Sequence, residues 1–163
     1  MVHISSTAVY AIPKKGDIMN ENYKIEPVGN YGRAKYGAEL VCKEYMRKGL
    51  NITILRPRTI IGTGRMGIFS ILFDWIRRGK NIYIMGDGNN LFSFVSAGDL
   101  AEASILSATK KKTKNQIFNI STDKYGTLRE DLEALIEHAG TGSRLVSVNA
   151  TLVRTILYIL DKL

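Results

Sequence analysis

The sequence predicts an α/β protein built on a largely parallel sheet, and two observations carry that prediction. Short apolar runs (VHISS, NITIL, IYIM, LFSFV, QIFNIS, RLVSV) recur along the 163 residues, and most of them are separated by segments whose apolar residues repeat at helical spacing. Alternation of this kind, with no internal repeat, is the pattern of a sheet covered by helices. Composition agrees: 45% hydrophobic and 23% charged residues suit a globular chain long enough to bury a core.

The elements follow in order. VHISS is expected to be a short buried strand starting at residue 2, and Thr7 to Gly29, with Pro13, Gly16 and Pro27, a long irregular connection. A helix is predicted from Tyr31 to about Lys48: Asn30 can cap it, Ala34, Ala38, Val41 and Tyr45 give the apolar spacing, and Gly49 stops it. The strand NITIL comes next. Beyond the glycine-rich GTGRMG, Ile68, Ile71, Leu72, Trp75 and Ile76 mark a helix ended by Gly79, and IYIM and LFSFV read as two strands joined by a hairpin turn, GDGNN. A helix from about Gly98 to Thr109 and the strand QIFNIS precede TLREDLEALIEHAG, a helix whose Thr127 and Glu130 form a capping box and whose end is marked by Gly140. After the strand RLVSV, the apolar face of Leu152, Val153, Ile156, Leu157, Leu160 and Leu163 predicts a final helix that looks cut short.

Several function classes are disfavoured. Cys42 stands alone, which rules out an internal disulfide, and with only His3 and His138 no metal site is expected. The net charge of +8 is spread along the chain, with Lys110, Lys111, Lys112 and Lys114 as its one dense cluster, so a solvated loop is expected there rather than a nucleic-acid interface. No leader peptide opens the chain and no apolar run approaches the roughly 20 residues of a membrane span, so a soluble, cytoplasmic protein with no membrane partner is expected.

The chemistry concentrates in YGRAK. Tyr31 and Lys35 stand at i and i+4, which on a helix brings phenol and ammonium to one face, and a nearby cation favours phenolate. Such a tyrosine can take a proton from an alcohol or return it to a carbonyl. Tyr10 and Lys14 have the same spacing, but Pro13 between them argues against a helix. Ser5 and Ser6 lie where the opening strand should end, and in α/β sheets ligand sites lie beyond the carboxyl ends of strands. Taken singly, a packed helix-start tyrosine and two serines satisfying local backbone groups would explain these residues as well.

Taken together, ISSTAVY, ENYKIEPVGNYGRAKYGAE, ILRPRTIIGTG, GDGNN and FVSAGDLAEA, in order from about residue 2 to residue 139, resemble the extended short-chain dehydrogenase/reductase family, and within it the NAD-dependent epimerase/dehydratase group typified by UDP-glucose 4-epimerase. The resemblance implies a partial Rossmann-type sheet, doubly wound and parallel, with part of a small C-terminal substrate lobe. Residues 1–61 would be the C-terminal part of the NAD-binding unit, and residues 62–163 the substrate lobe mixed with remaining sheet elements. It implies Tyr31 as general acid/base, Lys35 on the nicotinamide ribose and favouring the phenolate, and Ser6 orienting the reacting hydroxyl. Ser5 and the backbone of Pro57 and Arg58 would lie beside the cofactor, and Ser6, Thr7, Thr59 and Arg65 would face the substrate. NAD or NADP would be the cofactor, a sugar or nucleotide-sugar the substrate, and a homodimer the assembly, with Ala38, Val41, Cys42 and Tyr45 as interface residues.

Gly62-x-Gly64-x-x-Gly67 spells a dinucleotide-binding fingerprint, with Asp87 about 20 residues on. In the family it resembles, however, this stretch shapes the sugar-nucleotide side of the cleft, and the pyrophosphate loop follows the first strand of the sheet. No such strand and loop precede Val2, so the chain is expected to be the middle and later part of a family member and not to bind NAD by itself. Thr7 and Ala8 replace the Asp-Glu pair of dehydratases, which disfavours dehydration, and Thr59 and Phe92 replace an asparagine and an arginine that contact the substrate diphosphate. Arg58, Arg65 or Arg144 would have to compensate. The resulting expectation is an epimerase that transiently oxidises a sugar hydroxyl. An NAD(P)-linked sugar or carbonyl reductase and a non-catalytic, self-associating module are the alternatives.

Overall fold

Alternating strands and helices are what the computed structural model contains; it describes residues 1–14, 16–62, 69–149, 151, 153 and 155. In order they are β1 (Val2–Ile4), a 3-10 turn (Thr7–Val9), α1 (Gly29–Arg47), β2 (Thr53–Pro57), β3 (Thr59–Ile61), α2 (Phe69–Arg77), β4 (Ile82–Met85), β5 (Phe94–Ser96), α3 (Ala97–Thr109), a 3-10 turn (Lys111–Thr113), β6 (Ile117–Ile120), α4 (Leu128–Ala139) and β7 (Leu145–Val148). They form two units, Met1–Gly64 with Ser93–Asp123, and Arg65–Phe92 with Lys124–Leu163.

In the first unit β1, β2 and β6 make a parallel sheet in the order β1-β2-β6, with Val2 opposite Thr53 and Ile54 opposite Ile117. Every residue of β2 is buried, as a central parallel strand requires when both of its faces are covered. On one face Ile52 and Ile54 pack with Cys42 and Met46 of α1 and with Ile117. The other face lies towards α3. A second parallel pair, β3 with β5, sets Thr59 opposite Phe94. Ser96 caps α3 by accepting from the Asp99 amide at 2.9 Å.

In the second unit β4 and β7 pair in parallel, and Ile76 of α2 and Leu132 of α4 close over Ile82 and Ile84. The capping box at Thr127 and Glu130 is formed, and Gly140 ends α4 in the left-handed region at φ 61°. Among the described residues, no helix is long and apolar enough to cross a membrane.

Four local expectations are corrected. GDGNN is not a hairpin turn, because β4 pairs with β7 and β5 with β3, each in a separate sheet. The turn instead seats on the start of α4, where the carbonyls of Gly88 and Asn90 accept from the amides of Arg129 and Leu128. Asn30 does not cap α1; the helix starts at Gly29, and the Asn30 side chain accepts from Arg33 at 2.8 Å. The opening strand stops at Ile4, because Ser6 caps the following 3-10 turn. Cys42 is buried in the core rather than available to an interface, and burial pushes its thiol up from the usual cysteine value. The final apolar helix falls mostly outside the described residues, as do Gly64, Arg65 and Gly67 of the glycine-rich stretch.

Gly32 sets how closely α1 approaches the turn after β1. A Cβ built there would overlap the carbonyl oxygen of Ala8 and stand 3.2 Å from Cβ of Pro27, whereas one at Gly37, on the same helix, would meet nothing within 4 Å. Gly37→Ala is therefore expected to stabilise the protein by about 0.5–1 kcal/mol through helix propensity. Gly32→Ala should destabilise it by about 1–3 kcal/mol despite the same propensity gain. Urea unfolding midpoints of the two variants, shifting in opposite directions, are the check.

Candidate active site

Helical geometry places Tyr31, Lys35 and Glu39, at successive i+4 steps, along one side of α1. The end of β1 meets this side. Lys35 Nζ donates to the Ile4 carbonyl at 3.0 Å and stands 5.8 Å from the centroid of the Tyr31 ring. Tyr31 is 61% exposed, so its phenol is open to a ligand, while Lys35 is half-buried behind it. One hydrogen of the Lys35 ammonium goes to Ile4, and an ammonium has two more to offer.

The paired serines have different surroundings. Ser6 accepts from the Ala8 amide at 3.1 Å, capping the 3-10 turn that Thr7 opens, and its hydroxyl keeps a hydrogen to donate. Ser5 is buried, and its hydroxyl donates to Glu39 Oε1 at 2.6 Å. Pro57 ends β2 in the interior; Arg58 follows it half-buried, its amide donating to the Ile120 carbonyl and its guanidinium pulled below the usual arginine value by burial. Thr59 lies on β3, and Arg65 is outside the described residues. Contacts thus join the end of β1 to Lys35 and Glu39 of α1.

Glu39, Arg56, Asn119 and Glu21, which sequence reasoning passed over, support this junction together with Tyr10. Arg56, buried in β2, donates from Nε to Glu39 Oε1 at 2.8 Å and from Nη2 to Glu39 Oε2 at 2.6 Å, a bidentate pair with both side chains essentially fully buried. Its Nη1 donates to the Tyr10 hydroxyl at 2.8 Å, and Tyr10 donates to Asn119 Oδ1 of β6 at 2.7 Å. The Asn119 amide in turn donates to Glu21 Oε1 at 2.8 Å, tying down the connection between β1 and α1. The signal was present: Glu39 continues the Tyr31–Lys35 stripe, and Arg56 interrupts an otherwise apolar run, both placing a charge where burial is expected. Tyr10 is not helical, as Pro13 suggested; it forms an isolated bridge with Ile25.

Burial alone would push the Glu39 carboxyl up, but hydrogen bonds from Arg56 and Ser5 outweigh it and hold the group below the ordinary glutamate value. Burial likewise opposes the charge on Arg56, and its bonds to Glu39 and Tyr10 outweigh that. His3, on the same face of β1 as Ser5, has a buried Nε2 with no partner among the described residues, and burial, then Lys35, favours its neutral form against the pull of Glu39.

Residues 1–121 match the family model described as the NAD dependent epimerase/dehydratase family. A protein of Sinorhizobium fredii is 45% identical over 148 residues, which cover 90% of this chain and 37% of that relative. The UDP-glucuronate 4-epimerase of Thermodesulfobacterium geofontis is 33% identical over 129 residues, or 76% of this chain and 38% of the enzyme. The crystal structure of the UDP-glucose 4-epimerase of Thermotoga maritima with UDP-glucose superposes with a TM-score of 0.77 at 27% identity, covering 91% of this chain and 50% of that one. The chain thus spans half or less of the length of each.

The buried pair generates a prediction with a sign. Because the Glu39 carboxyl is held low in the folded state, its stabilising contribution is present above the ordinary value of 4.5 and is lost as pH falls through the folded value. Glu39→Gln strands the Arg56 charge and should cost about 3–5 kcal/mol at neutral pH, while flattening the acid dependence. Replacing both partners, Glu39→Leu with Arg56→Met, should cost less than the single change. Urea unfolding of the three proteins on both sides of that value is the measurement.

Proposed function

Because the chain belongs to the NAD-dependent epimerase/dehydratase family, we propose that it supplies the acid/base side of a nucleotide-sugar epimerase. The observation that carries the reading is the junction of Lys35 with the end of β1, which holds the exposed Tyr31 phenol on the helix that also anchors Ser5. Similarity to 4-epimerases of UDP-glucose and UDP-glucuronate supports a UDP-sugar as the substrate class.

In this reading Tyr31 Oη removes the proton from a sugar hydroxyl and later returns it to the same oxygen. Between these events Tyr31 holds the proton as a neutral phenol, and Lys35 places its positive charge beside the phenolate that begins and ends the cycle. Ser6 donates its remaining hydroxyl hydrogen to that oxygen. When bound, NAD supplies the reversible hydride acceptor that such chemistry needs. The chain's donors fit that cofactor: the two further hydrogens of the Lys35 ammonium suit the adjacent hydroxyls of a ribose. Thr7 and Ala8 offer no carboxylate to assist loss of water, which favours epimerisation over dehydration. The outer face of α1, where Leu40, Val41 and Tyr45 are exposed, supports assembly as a homodimer.

The test is conversion of UDP-glucose to its 4-epimer by the protein that carries this chain, followed by proton NMR. Epimerisation should proceed with no stoichiometric change in NADH, and Tyr31→Phe should slow it by about 10²–10⁴-fold. Unchanged turnover in that variant would remove Tyr31 from the mechanism, and stoichiometric NADH consumption would make the protein a reductase.

A further inference from the structure

The lysine cluster lies on the side of the sheet that the acid/base residues do not use. Strand alternation turns Ile54, Arg56, Ile117 and Asn119 towards α1, and therefore Leu55, Phe118 and Ile120 towards the α3 side. On that side the end of α3 and the segment leading into β6 form a groove of about 470 Å³, lined by Leu106, Lys110, Lys112, Thr113, Gln116 and Phe118. It opens at the amino end of β6, whereas Ser6 follows the carboxyl end of β1, which runs parallel to the same sheet.

Three observations distinguish this groove from an ordinary solvated loop. First, Lys110 and Lys112 line it, Lys111 and Lys114 are their neighbours in the chain, and among the described residues no carboxylate pairs with any of the four ammonium groups. Second, the floor is apolar and continues onto exposed α3 surface, where Ile105 and Leu106 are 64% and 44% accessible. Third, the segment carrying the lysines is fixed. The Thr113 hydroxyl bridges the carbonyls of Lys110 (2.6 Å) and Ser107 (2.9 Å), and the Thr113 carbonyl accepts from the Thr53 hydroxyl at 2.7 Å. Asn115 adopts φ 57° and takes the Ile52 amide on its side chain at 3.1 Å. A site whose backbone is already ordered loses less entropy on binding.

We propose that this groove docks an acidic segment of a partner protein, with one apolar side chain seated between Leu106 and Phe118 and flanking carboxylates against Lys110 and Lys112. Charge complementarity selects the acidic segment, and the apolar floor selects the anchor. Nucleic acid fits less well, because single-strand binding relies on exposed aromatic platforms and the lining offers one partly buried phenylalanine and no arginine. The site is independent of the epimerase reading, since none of its residues touches Tyr31, Lys35 or Ser6.

The probe is a fluorescein-labelled peptide of glutamates and aspartates around a central Phe-Leu pair, titrated by fluorescence anisotropy into the 163-residue protein. Saturable binding is expected, weakened at least about ten-fold when Phe-Leu becomes Ala-Ala and again by Lys110→Glu with Lys112→Glu. Lys80→Glu, a charge change outside the groove, and Tyr31→Phe should leave it unchanged. The lysine variants are exposed, and an unchanged thermal transition would show that they still fold. No saturation by about 1 mM peptide, equal binding of the Ala-Ala peptide, or equal loss with Lys80→Glu would overturn the proposal. So would tighter binding of a labelled single-stranded oligonucleotide that depends on the same lysines.

Discussion

The bidentate ion pair between Arg56 and Glu39 is the constraint on which the first unit depends. Both groups are removed from water, so neither charge can be tolerated without the other, and the geometry that satisfies one fixes the other. Glu39 also takes the Ser5 hydroxyl, and Arg56 also engages Tyr10, so a single pair joins β1, α1, β2 and, through Asn119, β6. Apolar packing of Cys42, Ile52 and Ile54 would bring α1 against the sheet in many slightly different registers. A buried pair with fixed hydrogen-bond directions is satisfied in far fewer of them.

The consequence for chemistry is positional. Glu39 stands one helical step beyond Lys35, which stands one step beyond Tyr31, so pinning Glu39 to Ser5 and Arg56 orients the whole stripe. Lys35 then reaches the Ile4 carbonyl while Tyr31 stays open to solvent. The close approach allowed by Gly32 completes the arrangement, because any side chain there would push α1 away from the turn that Ser6 caps. Charge is handled oppositely on the two sides of the sheet: paired and enclosed beside α1, unpaired and open beside α3.

Much of this was legible beforehand. The α/β class, the capping box at Thr127 and Glu130, the stop at Gly140 and the helical pairing of Tyr31 with Lys35 all rest on interactions within a few residues, which local sequence encodes directly. The misread features depend on distant partners. GDGNN has the composition of a hairpin turn, but pairing of β4 with β7 and of β5 with β3 is a choice among strands far apart in sequence. Cys42 was expected at an interface because the family resemblance implied one on this helix, yet a helix face is assigned to core or solvent by what packs on it.

By itself the sequence determined the order of the elements, the family pattern and the residue types able to move a proton, because these follow from short-range periodicity and from motifs read in order. Only the tertiary structure decided that Ser5 turns inward while Ser6 caps a turn, that Glu39 and Arg56 neutralise one another, and that Lys110 and Lys112 line an apolar groove. The physical reason is distance along the chain: Glu39 meets Arg56 across 17 positions and Ser5 across 34, and no local pattern specifies which partner will arrive.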